Sequence, residues 1–274
     1  MELTFSPAAA LSLAALADLF TRSFEGYFYA GTTTADALAQ RVRMEQIDLW
    51  FSLVMLADGE PIGVALLGRR GARAWCGGFG VVAAYRGMGL SHTLTSEMLA
   101  RARAASAQRL SLEVLTRNER AIRTYQRAGL AITRRLLVLS WRPGDDDDGH
   151  ETPTLSEALP DQLLSHFAAL HPAPAAWQRE LAALLVGSGR RGLALPGPDG
   201  PLAYALISGD ASNTRIADLG ARSADKALSL LRGLQAQARS LLSVNEPAES
   251  PLTAAFYHAG FVVADEQHEM ELML

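Results

Sequence analysis

A chain of 274 residues is longer than one core of roughly 100–150 residues needs, and 49% hydrophobic with 20% charged residues excludes global disorder. A formal charge of −4, with Lys226 the single lysine and the arginines in scattered pairs (Arg69-Arg70, Arg134-Arg135, Arg190-Arg191), leaves no basic stripe for nucleic acid. One cysteine, Cys76, allows no intrachain disulfide; the histidines show no metal-ligand spacing, and no apolar run reaches the roughly 18 residues of a membrane span.

Along the chain, residues 2–5 read as a strand and 8–20 as an Ala/Leu-rich helix begun at Ser6-Pro7, a good N-cap and N1 pair. The apolar run at 8–17 is similar to a secretory leader core, but Glu2 replaces the basic start and Asp18 follows, so a cytoplasmic location is expected. An aromatic loop (Phe24, Tyr27, Phe28, Tyr29) precedes a helix capped by Thr34 and running to about Glu45. Residues 50–57 and 61–67 are strands around the Asp58-Gly59 hairpin turn. A strand at 72–82, a helix at 87–107, a strand at 110–115, a helix at 118–128 stopped by Gly129 and a strand at 130–141 complete the first half.

Residues 142–153, with four successive aspartates at 145–148, read as a solvated acidic linker or exposed loop, since adjacent like charges repel and stay hydrated, with a metal-binding acid cluster as the alternative. Beyond it the order partly recurs. Helical patterns at 155–170 and 175–185 precede strands at 192–195 and 202–207 around Asp199-Gly200, a strand at 216–219 and a helix at 224–240. Phe256-Tyr257-His258-Ala259-Gly260-Phe261 echoes Tyr125-Gln126-Arg127-Ala128-Gly129-Leu130, which reads as internal duplication.

The turn Arg86-Gly87-Met88-Gly89-Leu90-Ser91 lies between a strand and a long helix. That order offers backbone N–H groups at a positive helix end, glycines remove Cβ atoms that would hold a phosphate away, and Arg86 adds positive charge at the mouth. On these residues, residues 1–141 resemble the GNAT superfamily of acyl-CoA-dependent N-acetyltransferases. The turn matches the family's Arg/Gln-x-x-Gly-x-Gly/Ala loop with serine in the last place. Asn118, Ala121, Tyr125 and Gly129 match its second signature in order and spacing.

The resemblance implies an α/β architecture: two GNAT-like domains (1–141 and 154–274), each a mostly antiparallel twisted sheet flanked by helices. It implies acetyl-CoA as co-substrate and no metal. Backbone groups of Val81, Val82 and Ala83 would pair with the pantetheine arm, and Arg86 with the N–H groups of Gly87, Met88, Gly89, Leu90 and Ser91 would hold the pyrophosphate. Asn118 would bond the pantetheine or cap its helix. Tyr125 would protonate the departing CoA thiolate, although Ala121, Tyr125 and Ala128 share a helical face and a core role stays open. Phe24, Glu25 and Tyr27 lie in the segment that covers the acceptor in the family. The strand 76–80 carries no glutamate; Glu113 and Glu25 are the nearest candidates, and the base stays unassigned.

The second half lacks the paired glycines: Gly220-Ala221-Arg222-Ser223-Ala224-Asp225 stands at the loop position and Phe256 at that of the tyrosine. It reads as a degenerate copy without its own cofactor, used to cover the acceptor, pack on the first domain or form a homodimer surface. The expected activity is acetyl transfer to a primary amine of a small molecule or peptide, with no nucleic-acid or membrane partner. Two readings stay open beside it: a CoA-binding sensor or scaffold, and a serine hydrolase in which Gly89-Leu90-Ser91-His92-Thr93 is one residue from a nucleophile elbow.

Overall fold

A computed structural model describes residues 1–29, 31–144 and 152–274; the aspartates at 145–148 lie outside the described residues. The chain divides into two compact units, Met1–Thr133 with His268–Leu274, and Arg134–Gln267. None of the described helices is long and apolar enough to cross a membrane.

The first unit runs β1 (Leu3–Pro7), α1 (Leu13–Ser23), α2 (Ala35–Glu45), β2 (Leu53–Ala57), β3 (Glu60–Arg70), β4 (Arg73–Val81), α3 (Leu90–Ala104), β5 (Arg109–Leu115), α4 (Glu119–Arg127) and the start of β6 (Ala131–Trp141). Strands β1 to β4 are an antiparallel meander. Asp58 and Gly59 both have positive φ, the backbone that matches a two-residue turn to strand twist. Strand β5 lies parallel to β4, which requires a crossover, and α3 supplies it. Its Leu94, Met98 and Ala102 recur on one face and are fully buried against Leu53, Met55, Leu110 and Leu112. Each such large side chain contributes about 1.5–3 kcal/mol.

Two of the expected helix starts contrast local and long-range control. Thr34 caps α2 by accepting from the Ala37 N–H (3.2 Å). Ser6 and Pro7 do not open α1, because both pair with β2; Ser12 caps it instead, accepting from the Ala15 N–H. Cross-strand pairing overrides a good local cap signal here.

In the second unit, the rest of β6 is followed by β7 (Ser156–Ala158), α5 (Pro160–Leu164), α6 (Phe167–Leu170), α7 (Leu181–Leu185), β8 (Arg191–Leu195), β9 (Ala203–Ser208), β10 (Thr214–Ala221), α8 (Ala224–Gln235), β11 (Leu241–Pro247), α9 (Thr253–His258) and most of β12 (Val262–Met273). The two long helical patterns expected at 155–170 and 175–185 are broken into short pieces. Residues 156–158 pair with β8, and Pro160, inside the first pattern, starts α5 at its N-terminal position instead of continuing a helix. Strands β7 to β10 are antiparallel, β10 and β11 are parallel, and β11 pairs with residues 136–141 of β6. Each unit therefore carries a mixed, mostly antiparallel sheet with helices, and β8-β9-β10-α8-β11-α9 repeats the order β2-β3-β4-α3-β5-α4.

The expected limits gave residues 268–274 to the second half and 134–141 to the first; packing assigns both segments the other way. The end of β12 is the neighbour of β5. Met270 is fully buried in the first unit's core, the Leu274 N–H donates to the Gln108 carbonyl (2.9 Å), and Arg109 pairs with Glu271 (3.3 Å).

Candidate active site

Strands β4 and β5 stay paired only from Arg73–Arg109 to Cys76–Leu112, then part. The cause is a β-bulge: β3 skips a partner between Leu66 and Leu67, leaving Gly77 as the extra residue. Gly77 has to be glycine because a Cβ would lie 2.2 Å from the Trp75 ring, and Gly80 because a Cβ would meet the Ser23 carbonyl at 2.8 Å. The parted strands open a cleft of about 490 Å³. Its walls come from the end of β4 (Phe79, Gly80, Val81), the turn 85–91, the start of α4 and the loop after α1.

The extended run expected through Val81, Val82 and Ala83 ends at Val82, whose N–H is taken by the Ile62 carbonyl (2.8 Å); residues 83–85 form a 3₁₀ turn. Gly87 and Gly89 have φ of +83° and +78°, and their Cα atoms face open space. Gly89 is the N-cap of α3 and supplies no side-chain cap, so the first N–H groups of the helix have no intrahelical acceptor. Gly87, Gly89, Leu90 and Ser91 line the cleft, whereas Val82, Ala83 and Met88 are not among its described lining residues.

Arg86 departs from its expected place as a free charge at the mouth. Its Nε–H donates to the Val81 carbonyl (2.9 Å) and its Nη2 to the Ser23 carbonyl (3.0 Å). The guanidinium lines the cleft but ties β4, the end of α1 and the turn together. Three arginines that sequence reading passed over, Arg120, Arg123 and Arg127, also line the cleft from α4. Their spacing of three and four residues places them on one helical face, a signal available in the sequence.

Asn118 caps α4, its Oδ1 accepting from the Ala121 N–H (3.3 Å), and also lines the cleft. Tyr125 is buried in the core cluster and edge-on to Phe79 (5.6 Å between centroids), yet borders the same cleft. Burial, then the nearby Cys76 and Tyr27, pushes its phenol well above the ordinary range, so it holds its proton. Burial likewise pushes the Cys76 thiol up to about 12, which leaves it a core residue with no nucleophilic thiolate.

A second cavity of about 330 Å³ adjoins the first through Phe24 and Tyr27, which line both. Phe20 stacks on Phe24 (4.4 Å), which meets Tyr27 edge-on (5.3 Å); Tyr29, Thr21, Thr33, Arg41 and Gly77 complete the wall. Arg41 donates to the Gly77 carbonyl at the bulge and, through Nε, to Glu45 (2.8 Å). Of the two expected base candidates, Glu113 accepts from the Trp75 indole (2.9 Å) and Glu25 is exposed; neither is among the described lining residues of either cavity. No histidine lines the cleft among the described residues, so Ser91 has no imidazole beside it there. No group of three or more His, Cys, Asp or Glu is placed to hold a metal among the described residues.

Residues 13–130 match the profile of the acetyltransferase (GNAT) family. No curated protein matches the chain. In fold, the chain is similar to a GCN5-related N-acetyltransferase from Sphaerobacter thermophilus (TM-score 0.73, 17% identity, 98% of this chain and 95% of that one). It is also similar to a tandem GNAT protein from the clavulanic acid biosynthesis pathway (0.68, 16%, 99% and 98%) and to a GCN5-related N-acetyltransferase from Anabaena variabilis (0.68, 15%, 99% and 73%). Residues 13–130 thus carry the profile of the GNAT acetyltransferase family, and the chain shares its fold with tandem GNAT proteins.

Proposed function

We propose that the first unit moves an acetyl group from acetyl-CoA to a primary amine of a small molecule or peptide by direct attack. The carrying observation is the cleft at the parted strands. Uncapped helix N–H groups, four arginines and a protonated, buried Tyr125 all border it. When bound, acetyl-CoA supplies the activated acetyl group. The N–H groups after Gly87 and the positive end of α3 suit its diphosphate, and Arg120, Arg123 and Arg127 balance its remaining negative charge. Arg86 holds the turn in place. Tyr125 gives its proton to the sulfur as the carbon–sulfur bond breaks.

Calorimetry with acetyl-CoA tests the cleft, and thiol-release assays of Tyr125→Phe test the acid. The variant keeps acetyl-CoA affinity and loses about 100-fold in kcat, the low end for general acid catalysis. An unchanged kcat removes Tyr125 from the mechanism. Because the phenol titrates well above its usual range, kcat of the parent shows no fall from its deprotonation up to about pH 10.

A further inference from the structure

Among the described residues lining the two cavities of the first unit there is no aspartate, glutamate or histidine. The formal charges on those walls are all arginines: four around the cleft and Arg41 at the aromatic cavity. Carboxylates close in sequence or space are engaged elsewhere. Glu45 is paired with Arg41, Glu113 takes the Trp75 N–H, and Glu25 is turned to solvent outside the lining. Of the other groups facing this region, Tyr125 on α4 is held protonated by burial, Tyr85 borders the cleft, and the Arg117 guanidinium lies over the Phe28 and Tyr29 rings (4.6 and 5.5 Å). Tyr27 and Tyr29 present their rings to the aromatic cavity.

The Arg41 guanidinium already lies over the Phe20 ring (5.2 Å), so an ammonium group brought beside it would meet a like charge with no carboxylate among the described lining residues to balance it. A flat apolar body meets the opposite welcome. The Phe20, Phe24 and Tyr27 rings form a continuous wall, and 330 Å³ lies within the range of small-molecule pockets. Gly77, at the strand bulge, floors this cavity, while Phe79 and Tyr125 border the other; Phe24 and Tyr27 belong to both.

Resting on the acetyl-transfer reading above, we infer that the acceptor is a primary amine carried on an aromatic body, which enters the cavity as the neutral free base, with no carboxylate or imidazole serving as general base. The nitrogen lone pair forms the new carbon–nitrogen bond and the carbon–sulfur bond breaks. Tyr125 protonates the sulfur, and the proton shed by nitrogen restores Tyr125, so amine and thioester become amide and thiol. Polyamines and lysine-rich peptides, which carry further positive charges, are excluded by the same walls.

The test uses the full chain. Calorimetry first measures acetyl-CoA binding. Thiol release is then followed from pH 6.5 to 9.5 with 2-phenylethylamine, its less basic 2,2-difluoro analogue, spermidine and a lysine-containing peptide. The expected kcat/KM for 2-phenylethylamine rises about tenfold per pH unit below the amine's own pKa, following the neutral fraction. The rise shifts to lower pH with the difluoro analogue, and spermidine and the peptide are at least about 100-fold poorer. Tyr29→Ala, which borders only the aromatic cavity, raises KM for 2-phenylethylamine about tenfold and leaves acetyl-CoA affinity unchanged. A rise fixed at one pH for both aromatic amines, or one abolished by Glu25→Gln or Glu113→Gln, overturns the inference, as does preference for spermidine or the peptide. Acetyl-CoA binding without turnover of 2-phenylethylamine at any pH overturns it while the cofactor site stands. Absence of acetyl-CoA binding overturns the functional reading itself, and this inference with it.

Discussion

In the first unit β4 and β5 separate beyond Cys76 and Leu112 around a cleft of about 490 Å³. In the second, β10 and β11 separate beyond Ile216 and Ser243, again beside a bulge, at Ala217, and the gap holds side chains instead. Arg179 spans it: its Nη1 reaches Glu246 (2.6 Å) and the Ser243 hydroxyl (3.2 Å) on β11, and its Nη2 lies 3.9 Å from Asp218 on β10. Asp218 also accepts from the Tyr204 hydroxyl (2.8 Å) and faces His171 Nε2 (3.0 Å). The cavity left beside Arg179 and Glu246 is about 20 Å³, room for roughly one water.

The turns differ in the same sense. The Val82 N–H to Ile62 carbonyl bond has its counterpart in Arg222 to Leu202 (2.9 Å). After Val82 the chain runs through residues 83–88 before the helix cap Gly89; after Arg222 the cap, Ser223, follows at once. The Ser223 hydroxyl accepts from the Lys226 N–H, and Asp225 sits in the first turn. At the start of α8 a side chain thus answers one of the N–H groups whose counterparts in α3 have no side-chain cap, and a diphosphate there would meet a carboxylate. Parting two strands creates a void, and a fold closes it with a ligand or with its own charged groups, provided those groups are all paired.

The comparison breaks most severely if residues 268–274 are removed. The first unit then loses Met270 from its core and the strand beside β5, a destabilisation above about 4 kcal/mol. Scanning calorimetry should show its unfolding transition lost along with acetyl-CoA binding; retention of both would mean that the strand is dispensable. Next in size, Asp218→Ala leaves Arg179, His171 and the Tyr204 hydroxyl short of a partner and costs about 3–5 kcal/mol in urea unfolding. Acetyl-CoA affinity stays at the parent value, since the plug belongs to the other unit.

The smallest effect concerns pH. Cys76 pairs in β4 at the place Ile216 holds in β10. Its folded thiol titrates near 12 against 9.0 for an ordinary one, so the folded state keeps a proton that the unfolded chain releases. The stability this provides is complete below about pH 9 and declines as pH rises toward 12, by about 1.4 kcal/mol per unit. Urea unfolding at pH 9 and 10 should show that slope in the parent and lose it in Cys76→Ala; equal slopes would place the cause elsewhere.

Local chemistry was legible in the sequence. The Gly87 and Gly89 turn, the Thr34 and Asn118 caps and the Asp58-Gly59 hairpin each depend on a few adjacent residues, and the structure places them as read. What depends on distant partners was not. The role of Arg86 is set by the Ser23 carbonyl, and the breaks within 155–185 by pairing of residues 156–158 with β8. The membership of residues 268–274 is set by the core that buries Met270 and by the Gln108 carbonyl. Tyr125 lies between these cases: its helix position was clear, but only packing shows one residue serving core and cleft together.

The late arrival of β12 in the first unit bears on synthesis. A ribosome completes 133 residues of that unit long before it makes His268–Leu274. Until then the nascent β5 presents an open edge, with the pocket for Met270 unfilled, and such edges recruit foreign strands. The first unit therefore gains its last strand only after the second unit has been translated.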